Sequence, residues 1–170
     1  MKKILFAIAI ITWTSSIFSQ ENSRLALVIG NANYEKGALN NPVNDALLMS
    51  KTLESLNFDV ILDTNISDIA QFIKTVRKFG DLRGNYKVGF IYYAGHGVQI
   101  NNENYLLATK ENYETQTDVE DYALSAKKIM RFLTEKTSQV NVLILDACRD
   151  NPFESNWNPK ARSTDAGRGL

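Results

Sequence analysis

The chain has 170 residues, with 19 basic and 19 acidic side chains and one histidine, so its formal charge is zero. That balance gives no electrostatic draw toward nucleic acid or an anionic membrane surface. A single cysteine excludes an internal disulfide, and the length suits one domain with a real core.

The first elements in chain order belong to targeting rather than to the fold. Lys2-Lys3 precede an apolar run, Ile4 to Trp13, and the polar stretch Thr14 to Gln20 follows. A run of ten residues is too short for a hydrocarbon core, which needs about 20. The layout is that of a secretory signal over residues 1–19. Cleavage after Ser19 would leave 151 residues with a net charge of about −2. The expected destination is the periplasm or the extracellular space, with no stable membrane span once the signal is removed. A buried N-terminal strand and an uncleaved anchor are the competing readings.

Strand-like and helical patterns then alternate over residues 23–153. Arg24 to Gly30 is a continuous apolar run ending in glycine, as in a strand buried on both faces. Pro42 suits a first helical turn, and from Asp45 the residues Ala46, Leu47, Met49, Leu53 and Leu56 fall mainly on one helical face. Phe58 to Leu62 reads as a second strand. Ser67 or Asn65 is expected to cap the next helix, whose stripe is Ile69, Phe72, Ile73, Val76 and Phe79, with Gly80 and Gly84 breaking it. Tyr86 to Tyr93 reads as a third strand that delivers His96 at its end. Val98 to Leu107, centred on Asn101 to Asn104, reads as a hairpin.

Glu111 to Asp121 reads as loop, Ser125 as the cap of a helix carrying Ile129, Met130 and Leu133, and Val140 to Leu145 as a fourth strand. Residues 154–170 read as an irregular tail. This order implies an α/β, doubly wound, mostly parallel sheet with helices on both faces. Ligands of such sheets bind outside the carboxyl ends of the strands.

Two segments end there in reactive side chains: Tyr92-Tyr93-Ala94-Gly95-His96-Gly97 and Leu143-Ile144-Leu145-Asp146-Ala147-Cys148-Arg149. His96 and Cys148 stand 52 residues apart, so they meet only if the fold brings them together. A thiol beside an imidazole is the minimum set for a cysteine nucleophile with a general base. Either alone would read as a buried cysteine or an incidental loop histidine; an unpaired cysteine in an exported chain favours the nucleophile. Asp118, Glu120 and Asp121 match no calcium-ligand spacing and read as a solvated loop. No metal or cofactor is expected.

Taken together, Phe90 to Gly97 and Asp146-Ala147-Cys148-Arg149 resemble the caspase-like cysteine peptidases, nearest the bacterial branch beside metacaspases and paracaspases. Leu25 to Asn31 and Asn41-Pro42-Val43-Asn44-Asp45-Ala46 look like that family's large catalytic subunit, so the likeness covers residues 23–153. It implies Cys148 as nucleophile and His96 as its base, with the N–H groups of Gly97 and Cys148 as oxyanion hole. Family members commonly orient the histidine through backbone, and the sequence identifies no third side chain.

Asp146 stands where metacaspase-like enzymes place an aspartate in the pocket for the residue before the scissile bond. This implies cleavage after arginine or lysine; the alternative is that Asp146 caps a turn. Arg149 is either a turn residue or an electrostatic aid to the thiolate, and Asn44 and Asp45 read as organisers of a helix start. In the family a smaller subunit completes the sheet, and the segment for it is expected to be lacking here. A separate smaller subunit or a homodimer is therefore a candidate partner besides the peptide substrate. The rival readings are a non-enzymatic peptide- or partner-binding module of the same fold and an amidase on a doubly wound sheet.

Overall fold

The computed structural model describes residues 23–134 and 140–148. In chain order these form β1 (Arg24–Gly30), α1 (Pro42–Ser55), β2 (Asp59–Thr64), α2 (Ile69–Arg83), β3 (Val88–Ile100) and β4 (Glu103–Leu106). Then come α3 (Gln116–Tyr122), β5 (Leu124–Ser125), α4 (Ala126–Thr134) and β6 (Val140–Cys148). The signal segment and the tail, with Arg149, lie outside the described residues.

Strands β2, β1, β3 and β6 lie side by side and parallel, in that order. Side chains alternate across a strand, so each one feeds two cores. Leu25, Leu27 and Ile29 of β1 join Ile91 and Tyr93 of β3 under α2 and α4, whose Phe72, Val76, Phe79 and Ile129 complete that layer. Ala26 and Val28 join Tyr92 and Ala94 on the opposite face, under Ala46 and Leu53 of α1. The expected α/β architecture, a mostly parallel sheet with helices on both faces, is what the chain adopts. A third cluster, with Tyr34, Val98, Leu107, Tyr113 and Val119, sits beyond the end of the sheet under the hairpin.

Local chemistry explains several boundaries. Gly30 closes β1 because a Cβ there would stand 2.5 Å from the Pro42 carbonyl oxygen and 2.7 Å from Ala46 Cβ. The start of α1 can therefore pack directly on the strand end. Pro42 occupies the first turn of α1, where its missing N–H costs nothing.

The cap of α2 is Asp68 rather than Ser67 or Asn65. Its Oδ1 accepts the Gln71 N–H at 2.8 Å, while Ser67 Oγ donates to Oδ2. Nor does Gly80 break α2, which runs on to Arg83. A mid-helix glycine costs about 1 kcal/mol, and the buried stripe of Phe72, Val76 and Phe79 outweighs it.

Two further expectations are corrected. The stretch read as loop contains α3, started by a capping box in which Thr115 and Asp118 exchange backbone and side-chain hydrogen bonds. Asp118 is thus spent on a helix start. Second, β3 does not stop before His96. It runs continuously to Ile100, exchanging its β1 neighbour for β4 as it leaves the parallel sheet. The turn at Asn101 and Asn102, with φ of 50° and 60°, has the left-handed backbone that asparagine tolerates in two-residue hairpins.

Candidate functional site

The site forms where β1 and β6 reach their carboxyl ends and β3 leaves the parallel sheet. Asn31, fully buried just after β1, holds three segments there. Its N–H donates to the Ala94 carbonyl at 2.9 Å, its Nδ2 to Leu107 O at 3.0 Å, and its Oδ1 accepts the Ile66 N–H at 3.0 Å. Asn65, at a φ of 53°, accepts the N–H groups of Ala32 and Asn33 on one side-chain oxygen. These bonds shape the loop between β1 and α1, residues 31–41, and that loop touches the histidine.

His96 is held by this loop and by β3 itself. Its Nε2 lies 2.6 Å from the Gly37 carbonyl oxygen. A carbonyl only accepts, so Nε2 carries the proton and Nδ1 is left as the basic nitrogen. Gly37 has a φ of 76°, and a Cβ there would stand 3.2 Å from Nε2. The Tyr34 ring packs on the imidazole with centroids 4.4 Å apart. Tyr34 Oη accepts the His96 N–H at 2.8 Å, and Tyr93 Oη donates to the His96 carbonyl at 2.7 Å.

The glycine before the histidine follows from this arrangement. A Cβ on Gly95 would meet Tyr34 Oη at 2.6 Å and Tyr93 Oη at 2.8 Å. Burial pushes the Tyr34 hydroxyl up to about 12, so it remains protonated, and Tyr93 is pushed well above its ordinary value for the same first reason.

The parallel register pairs His96 with Cys148. Neighbouring strands lie roughly 4.8 Å apart, so the two residues that are distant in sequence share one rung of the sheet. Gly97, buried, forms the next rung with Leu106 of β4. Leu107 donates its N–H to the His96 carbonyl. The carbonyl of His96 therefore faces the β4 side of the strand.

Asp146 precedes Cys148 by two positions and pairs in register with Ala94. Its Oδ2 accepts the Tyr92 hydroxyl at 3.0 Å, on the sheet face that also carries α1. Burial raises the Tyr92 hydroxyl, and the hydrogen bond to Asp146, the charge of Asp146 and the charge of Asp45 raise it further. Two carboxylates thus act on one hydroxyl: Asp146 from β6 and Asp45 from the first turn of α1. Among the described residues no group of three or more His, Cys, Asp and Glu side chains could hold a metal.

A family model, the Caspase domain of the C14 peptidases, matches residues 23–167. The chain belongs to the caspase-domain family. Among curated proteins it is similar to human mucosa-associated lymphoid tissue lymphoma translocation protein 1, at 28% identity over 127 residues. That stretch covers 74% of this chain and 15% of the human protein. The mouse homologue is 27% identical over the same share. The caspase-domain chain therefore corresponds to only a small part of these relatives. A solved structure of a protein from Geobacter sulfurreducens superposes with a TM-score of 0.57 at 17% identity, over 74% of this chain and 50% of that one. It shares the fold.

Sequence reasoning singled out His96, Cys148, Gly97 and Asp146, and the caspase-domain structure gathers these positions at one end of the sheet. It missed Tyr34 and Gly37, which lie in an Asn- and Gly-rich loop 62 and 59 residues from His96. Nothing periodic marks either. Asp45 was read as a helix-start residue only, and its second effect, on Tyr92, depends on how α1 packs over the sheet.

Proposed function

We propose that this caspase-domain chain is the catalytic part of a cysteine endopeptidase that cleaves after arginine or lysine. The observation that carries this reading is the shared rung of His96 and Cys148, with Asp146 two residues away on the same strand. In the proposed reaction the Cys148 thiol gives its proton to His96 Nδ1, and the sulfur bonds to the peptide carbonyl carbon. The N–H groups of Gly97 and Cys148 hold the oxyanion. The carbon–nitrogen bond then breaks as the imidazolium protonates the leaving amine. A water activated by His96 hydrolyses the thioester and regenerates the thiol.

Asp146 and Asp45 support a basic residue before the scissile bond. Two nearby carboxylates attract a guanidinium or ammonium and repel an acidic side chain. Asp146→Asn is expected to lower kcat/KM for arginyl peptides roughly 10- to 100-fold, the loss of one charge-assisted hydrogen bond of about 1.5–3 kcal/mol. A positional peptide library on parent and variant measures it. Preference of the parent for cleavage after aspartate would refute the assignment.

Export through an N-terminal signal belongs to the same proposal, motivated by Lys2-Lys3 and the apolar run after them. A mature N-terminus still at Met1, in a membrane fraction, would contradict it and favour an uncleaved anchor. A partner for the sheet is also part of the proposal: Val140 and Ile144 of β6 are 61% and 41% exposed. Among the described residues β6 pairs only with β3, and an uncovered strand edge invites pairing. We expect weak turnover by the monomer and full turnover with a second copy or a smaller subunit. Robust activity at monomer mass in sedimentation would remove that part.

A further inference from the structure

We infer that Tyr34 is a positioning residue for His96. This inference rests on the peptidase reading for its consequence, but its geometry stands apart from it. The peptide of His96 is gripped at both ends by buried tyrosine hydroxyls, Tyr34 on the N–H and Tyr93 on the carbonyl. The two hydroxyls are themselves 3.1 Å apart, and both lie within hydrogen-bond reach of the Leu107 carbonyl, at 3.4 and 3.1 Å. The hydroxyl of Tyr34 therefore accepts from the histidine and has an acceptor for its own proton.

Tyr34 does more than satisfy a backbone amide. Its ring lies against the imidazole on one side, and three residues later the same loop presents the Gly37 carbonyl to Nε2. The loop is anchored around Tyr34 as well. Leu39 donates its N–H to Ala32 O, and Glu35 donates to Thr109 O. The loop thus bears on the backbone N–H, the ring and the tautomer of the general base, with Tyr34 as the loop residue that touches both the backbone and the ring of His96. A general base that must reach both a thiol and a leaving amine gains from such a fixed plane, since displacements of about 1 Å at a reacting group can cost 100-fold in rate.

Removing the hydroxyl while keeping the ring isolates this role. Tyr34→Phe is expected to lower kcat for an arginyl peptide roughly 10- to 100-fold with KM changed less than about twofold. Because His96 is the only histidine in the chain, its imidazole nitrogens can be followed in the intact protein by ¹⁵N NMR without ambiguity. The parent should show the proton on Nε2 and strong contacts between the Tyr34 and His96 rings. Tyr34→Phe should show a mixture of tautomers and a faster-exchanging His96 amide.

A fall in melting temperature with kcat, tautomer and amide exchange all unchanged would mean a merely structural role and overturn the inference. If Tyr34→Phe does not fold, the parent decides alone: absent ring contacts, or the proton on Nδ1, overturn it. A parent that cleaves no peptide yet shows the expected tautomer, with the expected changes in Tyr34→Phe, would sink the peptidase reading and leave the positioning of His96 standing.

Discussion

Cys148→Ala and His96→Ala should each reduce peptide turnover by about 10⁴-fold or more, to the limit of detection, and the double variant should be scarcely worse than either. The expectation follows from sharing one rung: a thiol without its base is mostly protonated at neutral pH, and a base without its nucleophile has nothing to activate. Groups that act as one unit lose the whole effect when the first is removed, so their penalties do not add. Both substitutions are small and sit at the end of the sheet rather than beneath α2 and α4, so far-ultraviolet circular dichroism should be unchanged. Initial rates on an arginyl peptide give the comparison. A Cys148→Ala protein that cleaves at the parental rate would end the mechanism, and penalties that simply add would mean two independent roles.

The second large effect lies at the opposite end of the sheet and concerns stability. Arg83, the last residue of α2, is only 2% exposed. Its Nε donates to Asn141 Oδ1 at 2.8 Å, one terminal nitrogen to Tyr86 O, and the other to Val140 O at 2.8 Å and Lys87 O at 3.4 Å. The guanidinium thus ties α2 to the starts of β3 and β6, the two strands that carry the candidate dyad. Gly89 of β3 is glycine for its sake: a Cβ would land on the guanidinium Nε, and at 2.7 Å from Cδ.

Replacing a buried charge by an apolar side chain is often neutral when its partner is replaced as well. Here the acceptors are mostly fixed backbone carbonyls that stay behind. Each acceptor left without a donor costs about 1–3 kcal/mol, so Arg83→Met is expected to lose roughly 3–5 kcal/mol. That is a large share of the 5–15 kcal/mol typical of a domain. Gly89→Ala should also destabilise, and the double variant should lose less than the sum, because both act on one guanidinium. Urea unfolding of the four proteins measures this cycle. A loss below about 1 kcal/mol for Arg83→Met would show that water replaces the guanidinium without penalty.

Much of this was legible in the residues. Continuous apolar strands with a helical stripe between them dictate a parallel sheet covered on both faces, and Leu25, Leu27 and Ile29 against Ala26 and Val28 realise it. That His96 and Cys148 stand on neighbouring strands was legible because one histidine and one cysteine leave few choices, and the register pairs them. What stayed hidden was long-range or chemically plain. Tyr34 looks like any loop tyrosine, Gly37 contributes only a carbonyl, and the Arg83 network joins three segments that no local pattern connects. Asn65 looked like a helix cap because its side chain is suited to one, and it spends that same side chain on the loop holding His96. Gly80 has the propensity of a helix breaker, and the burial of Phe72, Val76 and Phe79 overrides it.

Covalent capture tests the central claim most directly. The purified protein would be treated with an arginyl peptide carrying a thiol-reactive acyloxymethyl ketone, then digested and sequenced by mass spectrometry. The account predicts a single adduct on Cys148, blocked by excess arginyl peptide, strongly slowed in His96→Ala and not formed by the aspartyl reagent. An unlabelled Cys148, or labelling that is equally fast with the aspartyl reagent and indifferent to His96, would contradict it.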